Sequence, residues 1–361
     1  MVNLSGKSYI NIENIEFTHD STVTGTQTYV RDCILINGQP ADNIKFIDLY
    51  IHHIDQFGIN IQDVNYMTVK NCTIEYCGFG AMGGPDAGAG GGWKNVVIDS
   101  CGLSYNGHYY QGTNSSAQIY DRPDGIGLEE SKGPVEIKNC TVEHNRGDGI
   151  DLKVESSYVH ENIVANNSCD GIKLWGSSRV HNCLIYGTGD GTGGASPWAN
   201  IVVGTEDTSD IIEIINCTIH DNPSREAYSV YMQYDERKNI TIIMKNNIVF
   251  NSQGLIWIAP EVTNYTIENN LFYRYNSSDQ IYLRGTNHTI NSLNLLTNCK
   301  NNISNDPKFL SPAWGSSGNY HLQTDSPAIN AGTSAGAPSI DLANISRPKG
   351  TLTDIGAYED Y

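Results

Sequence analysis

The chain has 361 residues, enough for a large core, and carries 22 Lys and Arg against 40 Asp and Glu, a formal net charge of -18. So acidic a surface excludes nucleic acid as a partner, because binding it needs basic stripes. An acidic substrate would need a local cation, either clustered Lys or Arg or a bound metal ion. No run of 18 apolar residues occurs, so no membrane-spanning helix is expected.

The opening residues, MVNLSGKSYI, lack the basic and apolar regions of a secretion signal, as a trimmed mature chain also would. From there the chain repeats itself. The segments YMTVKNCTI (66–74), VEIKNCTV (135–142), YVHENIVA (158–165), SRVHNCLI (178–185), IIEIINCTI (211–219), TIIMKNNIV (241–249) and YTIENNLF (265–272) superpose on an Asn. That Asn falls at 71, 139, 162, 182, 216, 246 and 269. Where no insertion intervenes the gaps are 23, 20 and 23 residues. Each unit reads as short strands of β-branched residues at period two, broken by Asn or Gly.

One such unit cannot bury its own apolar face, whereas stacked units share a continuous core. The expected fold is therefore all-β: a right-handed parallel β-helix, a β-solenoid with roughly ten coils over residues 1–305. A β-sandwich gives no reason for the same corner residue in every coil. Cys72, Cys140, Cys183 and Cys217, each following the Asn, read as a core column of small apolar side chains. Without any C-x-x-C pair, zinc and thioredoxin-like readings are weak. The Asn-x-Ser/Thr triplets at Asn71, Asn139, Asn216, Asn239, Asn264 and Asn287 read as turn and strand residues rather than glycosylation acceptors.

Longer gaps mark corner loops at 78–92, 105–123 and 187–200, the second rich in Tyr. In repeat proteins such insertions line the binding face. Between the second and third loops stand PDGIGLE (123–129), GDGIDLK (147–153) and CDGIKLW (169–175). Strand alternation turns Ile126, Ile150, Ile172, Leu128, Leu152 and Leu174 inward. Outward then stand Gly127, Asp151 and Lys173 in one column, and Glu129, Lys153 and Trp175 in the next. Adjacent coils lie about 4.8 Å apart, so Asp151 neighbours Lys173, Glu129 neighbours Lys153, and Asp124, Asp148 and Asp170 form a carboxylate ladder. Such charges repel unless compensated, and a hard cation such as Ca²⁺, which takes oxygen ligands, would compensate them. Asp124, Asp148 and Asp151 are its candidate ligands. Against this stands the plain reading of Asp-Gly as a turn pair.

The last stretch, 306–361, has no coil period and looks like the closing segment of secreted parallel β-helix proteins. It is expected to cap the core and cover the last open strand edge.

DGIDL followed one coil later by DGIKLWG resembles the single-domain parallel β-helix pectate lyases of the ninth polysaccharide lyase family. The resemblance implies that Asp148 and Asp151, with Asp124 one coil earlier, bind Ca²⁺, and that Lys173 is the catalytic base. Gly147 stands where that family has a second Asp. It also implies a secreted or cell-surface protein acting on an acidic, uronic-acid-containing polysaccharide by β-elimination. An ordinary Lys titrates near about 10.4. Ca²⁺ and Lys153 would lower Lys173, and Asp151 would raise it. Trp175 with Tyr109 or Tyr110 would stack on sugar rings, Arg146 or Arg179 would hold carboxylates, and Glu129 would line the site. Two other readings stand beside this one. A glycoside hydrolase would use a carboxylate pair among Asp148, Asp151, Asp170 and Glu129. A non-catalytic carbohydrate-binding solenoid would keep Trp175 and be indifferent to Lys173.

Overall fold

Short strands with one apolar face have to bury it against their own repeats, and the chain does this by coiling. The computed structural model describes residues 1–19, 30–85, 91–108, 123–189, 199–204, 209–220, 228–232, 240–250, 254–275, 281–313 and 318–360. Each coil carries three strands, and each strand pairs in parallel with its counterpart one coil on, which makes the fold a parallel β-helix.

The chain divides into two compact units. The first comprises Met1–Tyr158, Ile163–Lys173 and Gly189–Ser196; the second comprises Val159–Asn162, Leu174–Thr188 and Pro197–Tyr361. In the first unit one sheet stacks Asp32–Ile36, Phe57–Ile61, Gly80–Gly84, Ile126–Ser131 and Ile150–Val154. A second stacks Ala41–Ile47, Val64–Lys70, Trp93–Asp99 and Val135–Lys138, and a third Tyr50–His52, Thr73–Glu75, Gly102–Ser104, Thr141–Glu143 and Ile163–Ala165. In the second unit the same three positions recur, for example as Tyr228–Met232, Thr241–Lys245 and Ile248–Phe250. Inward residues such as Ile59, Met82, Ile126, Ile150, Val230 and Ile256 are buried.

The repeated Asn residues have a backbone reason. Asn71, Asn139, Asn182, Asn216, Asn246 and Asn269 all have φ between 49° and 54–55°, the left-handed region that Asn tolerates better than most residues. One register differs from expectation. Thr141 pairs with Ile163, and the left-handed corner residue of that coil is Glu161 (φ 49°), not Asn162. Asn162 falls instead in the position of Cys140. That column reads Cys72, Cys101 and Cys140 in the first unit, and Cys183, Cys217, Asn247 and Asn270 in the second. The corner gaps are thus 22 and 21 residues, from 139 to 161 to 182.

Two expected loops are partly strand. Gly80–Gly84 lies in the first sheet, and the glycines explain why its sequence hid it: a Cβ on Gly83 would come within 2.3 Å of the Phe57 ring, which lies flat on that strand. Ala199 and Asn200 open strand Ala199–Val203. Of the three loops, residues 86–90, 109–122 and 190–198 lie outside the described residues.

The tail forms an antiparallel pair, Phe309–Ser311 with Asn319–Leu322. Its described contacts run along the flank of the second unit. Tyr320 is buried, its hydroxyl 2.7 Å from His220 Nδ1, and its ring meets Phe309 and Tyr186. Five side-chain bonds from the corner Asn column reach tail carbonyls: Asn182 to Ile340 (2.7 Å), Asn216 to Asp354 (3.1 Å) and Gly356 (3.2 Å), Asn246 to Thr333 (2.8 Å) and Asn269 to Ala331 (3.1 Å).

Candidate functional site

The three Asp-Gly-Ile-x-Leu copies occupy one corner of successive coils in the first unit. Glycine is required after Asp124 and Asp148 because the coils approach closely: a Cβ on Gly149 would lie 2.7 Å from the Gly171 carbonyl oxygen, and one on Gly125 2.6 Å from that of Gly149. Asp124 and Asp148 each spend one oxygen on the corner itself. Asp148 N donates to Asp124 Oδ1 (2.7 Å), and Asp170 N donates to Asp148 Oδ1 (2.8 Å). The ladder is therefore structural with one oxygen of each of these two carboxylates and available to chemistry with the other.

A buried amide ladder lies beside it. Asn106 Nδ2 donates to Asn145 Oδ1 (2.8 Å), and Asn145 Nδ2 to Asn167 Oδ1 (3.0 Å). All three also accept from, or donate to, backbone groups. The signal was in the sequence: Asn145 and Asn167 each stand three residues before the Asp of their copy. The insertion at 109–122 hides the same relation between Asn106 and Asp124.

The variable residue of each copy sits outside the core. Gly127 pairs with Asp151 in the ladder, and the absent side chain at 127 leaves room for Asp124, whose Oδ2 lies 2.8 Å from where a Cβ would be. Lys173 Nζ lies 2.9 Å from Asp151 Oδ2 and 3.4 Å from Asp148 Oδ2. Lys153 Nζ contacts Glu129 Oε1 at 2.5 Å and stands 3.8 Å from Asp151 Oδ2. Oxygens of Asp124, Asp148 and Asp151 lie within 4.8 Å of one another. Asp148 and Asp151 are buried although Asp151 faces away from the core. Asp151 Oδ1 is buried without a hydrogen-bond partner.

This crowding moves protons. Burial pushes the Asp151 carboxyl up to about 6, against the pull of Lys173 and Lys153 and with the push of Asp148. Burial, then the Asp148 and Asp151 charges, raise Asp124 well above the carboxylate range. Burial pulls the Lys173 ammonium down, but Asp151 and Asp148 outweigh it, and the net shift is upward.

The remaining candidates are placed as follows. Arg146 is on the turn leading to Asp148, its N donating to the Asn106 carbonyl (3.0 Å). Asp170, at the end of the described ladder, is buried. Trp175 and Arg179 belong to the second unit: Trp175 lies against Gly204, and Arg179 is exposed on strand Ser177–His181, opposite Glu213 in the ladder. Tyr109 and Tyr110 lie outside the described residues.

A protein-family description, "Right handed beta helix region", matches residues 1–193. No curated protein matches. Among solved structures, a pectate lyase, Pel9A, is similar at 16% identity over 90% of this chain and 72% of that one, with a TM-score of 0.53. XylC in complex with xylose is similar at 12% identity over 98% of this chain and 65% of that one, with a TM-score of 0.57. At these identities the likeness is one of fold.

Proposed function

The chain belongs to the right-handed β-helix family, and on that premise we propose that it degrades a uronic-acid-containing polysaccharide by β-elimination, with Lys173 as base. The observation that carries this reading is the Lys173 ammonium poised between Asp151 and Asp148 on the outside of the coil. In the reaction Lys173 Nζ takes the proton from C5, beside the substrate carboxylate. The C4–O bond breaks, a C4–C5 double bond forms, and the leaving oxygen is protonated.

Lys173 has to shed its own proton first, and Asp151 and Asp148 hold that proton in place. Neutralising those carboxylates releases it. Their oxygens suit a hard divalent cation: three carboxylates converge from neighbouring coils, and Asp151 Oδ1 is buried and unpaired. Bound to Asp124, Asp148 and Asp151, Ca²⁺ would supply positive charge against both the acidic cluster and the substrate carboxylate. Lys153 adds a second cation beside the cluster. Arg146 is the candidate clamp for a neighbouring carboxylate. A polysaccharide substrate of this kind would be met outside the cell or at its surface.

One observation favours a second reading, a glycoside hydrolase. A carboxyl pushed up to about 6, as at Asp151, suits a general acid near neutral pH. The cluster's oxygens, within 4.8 Å of one another, are nearer the roughly 5–5.5 Å of retaining enzymes than the wider spacing of inverting ones.

The products separate the two. Elimination yields an unsaturated uronide, read by its ultraviolet absorbance across a panel of uronic-acid polymers. Hydrolysis yields a saturated end that incorporates oxygen from labelled water. Lys173→Ala should lower turnover by about 10²–10⁴-fold with an unchanged melting temperature, and Lys173→Arg should not restore it, since a guanidinium keeps its proton. If Lys173→Ala only raises KM while Asp151→Asn abolishes turnover, the lyase reading falls and the hydrolase reading stands.

A further inference from the structure

The outer face of the second unit carries a constellation that this chemistry does not use. Strands Tyr228–Met232, Gly254–Ile258 and Ile281–Leu283 pair so that Tyr231, Trp257 and Tyr282 fall in one column. Their strand neighbours Val230, Ile256 and Ile281 fill the core, so the three rings point outward and are partly exposed. The rings stack coil on coil, with centroids 4.7 and 5.6 Å apart and interplanar angles of 22° and 5°. They offer solvent a continuous apolar ribbon edged with phenol hydroxyls. Tyr228 widens it, its ring 5.8 Å from that of Tyr231. The Tyr228 ring fits only because position 254 is Gly, where a Cβ would lie 2.3 Å from it.

Polar atoms on the same strand faces lack partners. Ser229 precedes Tyr231 by two residues and so shares its side of the strand. Asn200 stands opposite Ser229, because Ala199 pairs with Tyr228 and Ile201 with Val230. Both side chains are 0% exposed, yet Ser229 Oγ and Asn200 Nδ2 have no hydrogen-bond partner. In the preceding coil Trp175 lies against Gly204, and its Nε1 is likewise buried and unpaired. Buried polar groups are nearly always satisfied in folded proteins. Three left unsatisfied beside an aromatic ribbon mark a place where a ligand supplies the missing partners.

We propose that this face is a polysaccharide subsite that holds uncharged pyranose residues. The C–H faces of the sugars lie along Tyr231, Trp257 and Tyr282, and their hydroxyls meet Ser229, Asn200 and Trp175. The rings recur once per coil, about every 4.8 Å, close to the advance of a chain by one pyranose unit. None of these six residues is charged, so the contact is blind to uronate carboxylates and insensitive to salt. The proposal rests on the polysaccharide reading above and extends it: the substrate carries neutral sugars, or esterified uronates, as well as the acidic residues that are cleaved.

The test uses the full chain carrying Lys173→Ala, so that binding is read without turnover. Soluble linear xylan, galactan and polygalacturonate are titrated by calorimetry and tryptophan fluorescence at low and high salt. At least one neutral polymer is expected to bind with salt-independent affinity. Trp257→Ala should weaken that binding about tenfold, the value of one good aromatic contact, and Trp257→Phe should recover most of it. Tyr282→Ser is the second route should Trp257→Ala fold poorly. Unchanged affinity in both variants overturns the subsite while leaving the lyase reading intact if Lys173 still governs cleavage. Ring-dependent binding without cleavage of any polymer by the wild-type chain sinks the lyase reading and keeps the subsite. Binding of no neutral polymer overturns the subsite.

Discussion

Asp151 faces away from the core and is buried all the same, because Lys173, Lys153 and Asp148 crowd it from its own and the neighbouring coil. Its raised carboxyl has a consequence for stability. With a folded value of about 6 against 3.8 for an ordinary Asp, the folded protein holds the proton more tightly than the unfolded chain does. The stabilisation from this group is therefore whole below about pH 4, falls as pH rises through about 6, and is gone above that. Relative to Asp151→Asn, the wild-type melting temperature should drop between about pH 4 and 7; parallel curves for the two proteins would refute it.

At the scale of the element, the corner column does two different jobs. In the first unit Asn139 is exposed and donates to Asp99 Oδ1 (3.0 Å). In the second unit Asn216 has the same φ of 54° but is buried, with its amide spent on two tail carbonyls. Glycine keeps the left-handed backbone and removes the side chain. Asn139→Gly should be near neutral, within about 0.5 kcal/mol. Asn216→Gly removes two bonds to buried carbonyls, which keep their Arg347 donors, and at about 0.5–1.5 kcal/mol per bond should cost about 1–3 kcal/mol. Denaturant unfolding of the two variants side by side measures the difference, and equal losses would show that only backbone conformation matters at this corner.

For the molecule as a whole, residues 306–361 are the question. The five Asn-to-carbonyl bonds, at roughly 1 kcal/mol each, already approach the lower end of a domain's net stability, about 5–15 kcal/mol. Tyr320 and Phe309 add apolar burial against His220, Tyr186 and Phe250. A chain ending at residue 305 should therefore lose its cooperative thermal transition or melt many degrees lower by circular dichroism. A truncated chain that melts as the full one does would make the tail an appendage.

The sequence by itself determined the coil. Period-two strands, the recurring corner Asn and the stacked Ile and Leu of three Asp-Gly copies are local patterns, and stacking at a fixed spacing turns them into neighbours. That is why Asp151 could be set beside Lys173 from residues 22 apart. The one-residue slip at Asn162 arose because Asn suits the left-handed corner and Asn also fits the buried column otherwise held by Cys; only the backbone of Glu161 distinguishes them. Tertiary structure alone decided the rest. Gly80–Gly84 is a strand because the Phe57 ring occupies the space its side chains would need. The acidic ladder divides its oxygens between corner and site, which no spacing reveals. Protons also follow burial: that Asp151 raises Lys173 was legible from their register, but the upward push on Asp151 itself comes first from burial, which no spacing shows. The aromatic ribbon of Tyr231, Trp257 and Tyr282 lies 25 to 26 residues apart in sequence with no shared motif, and only the pairing of three strands makes it one surface.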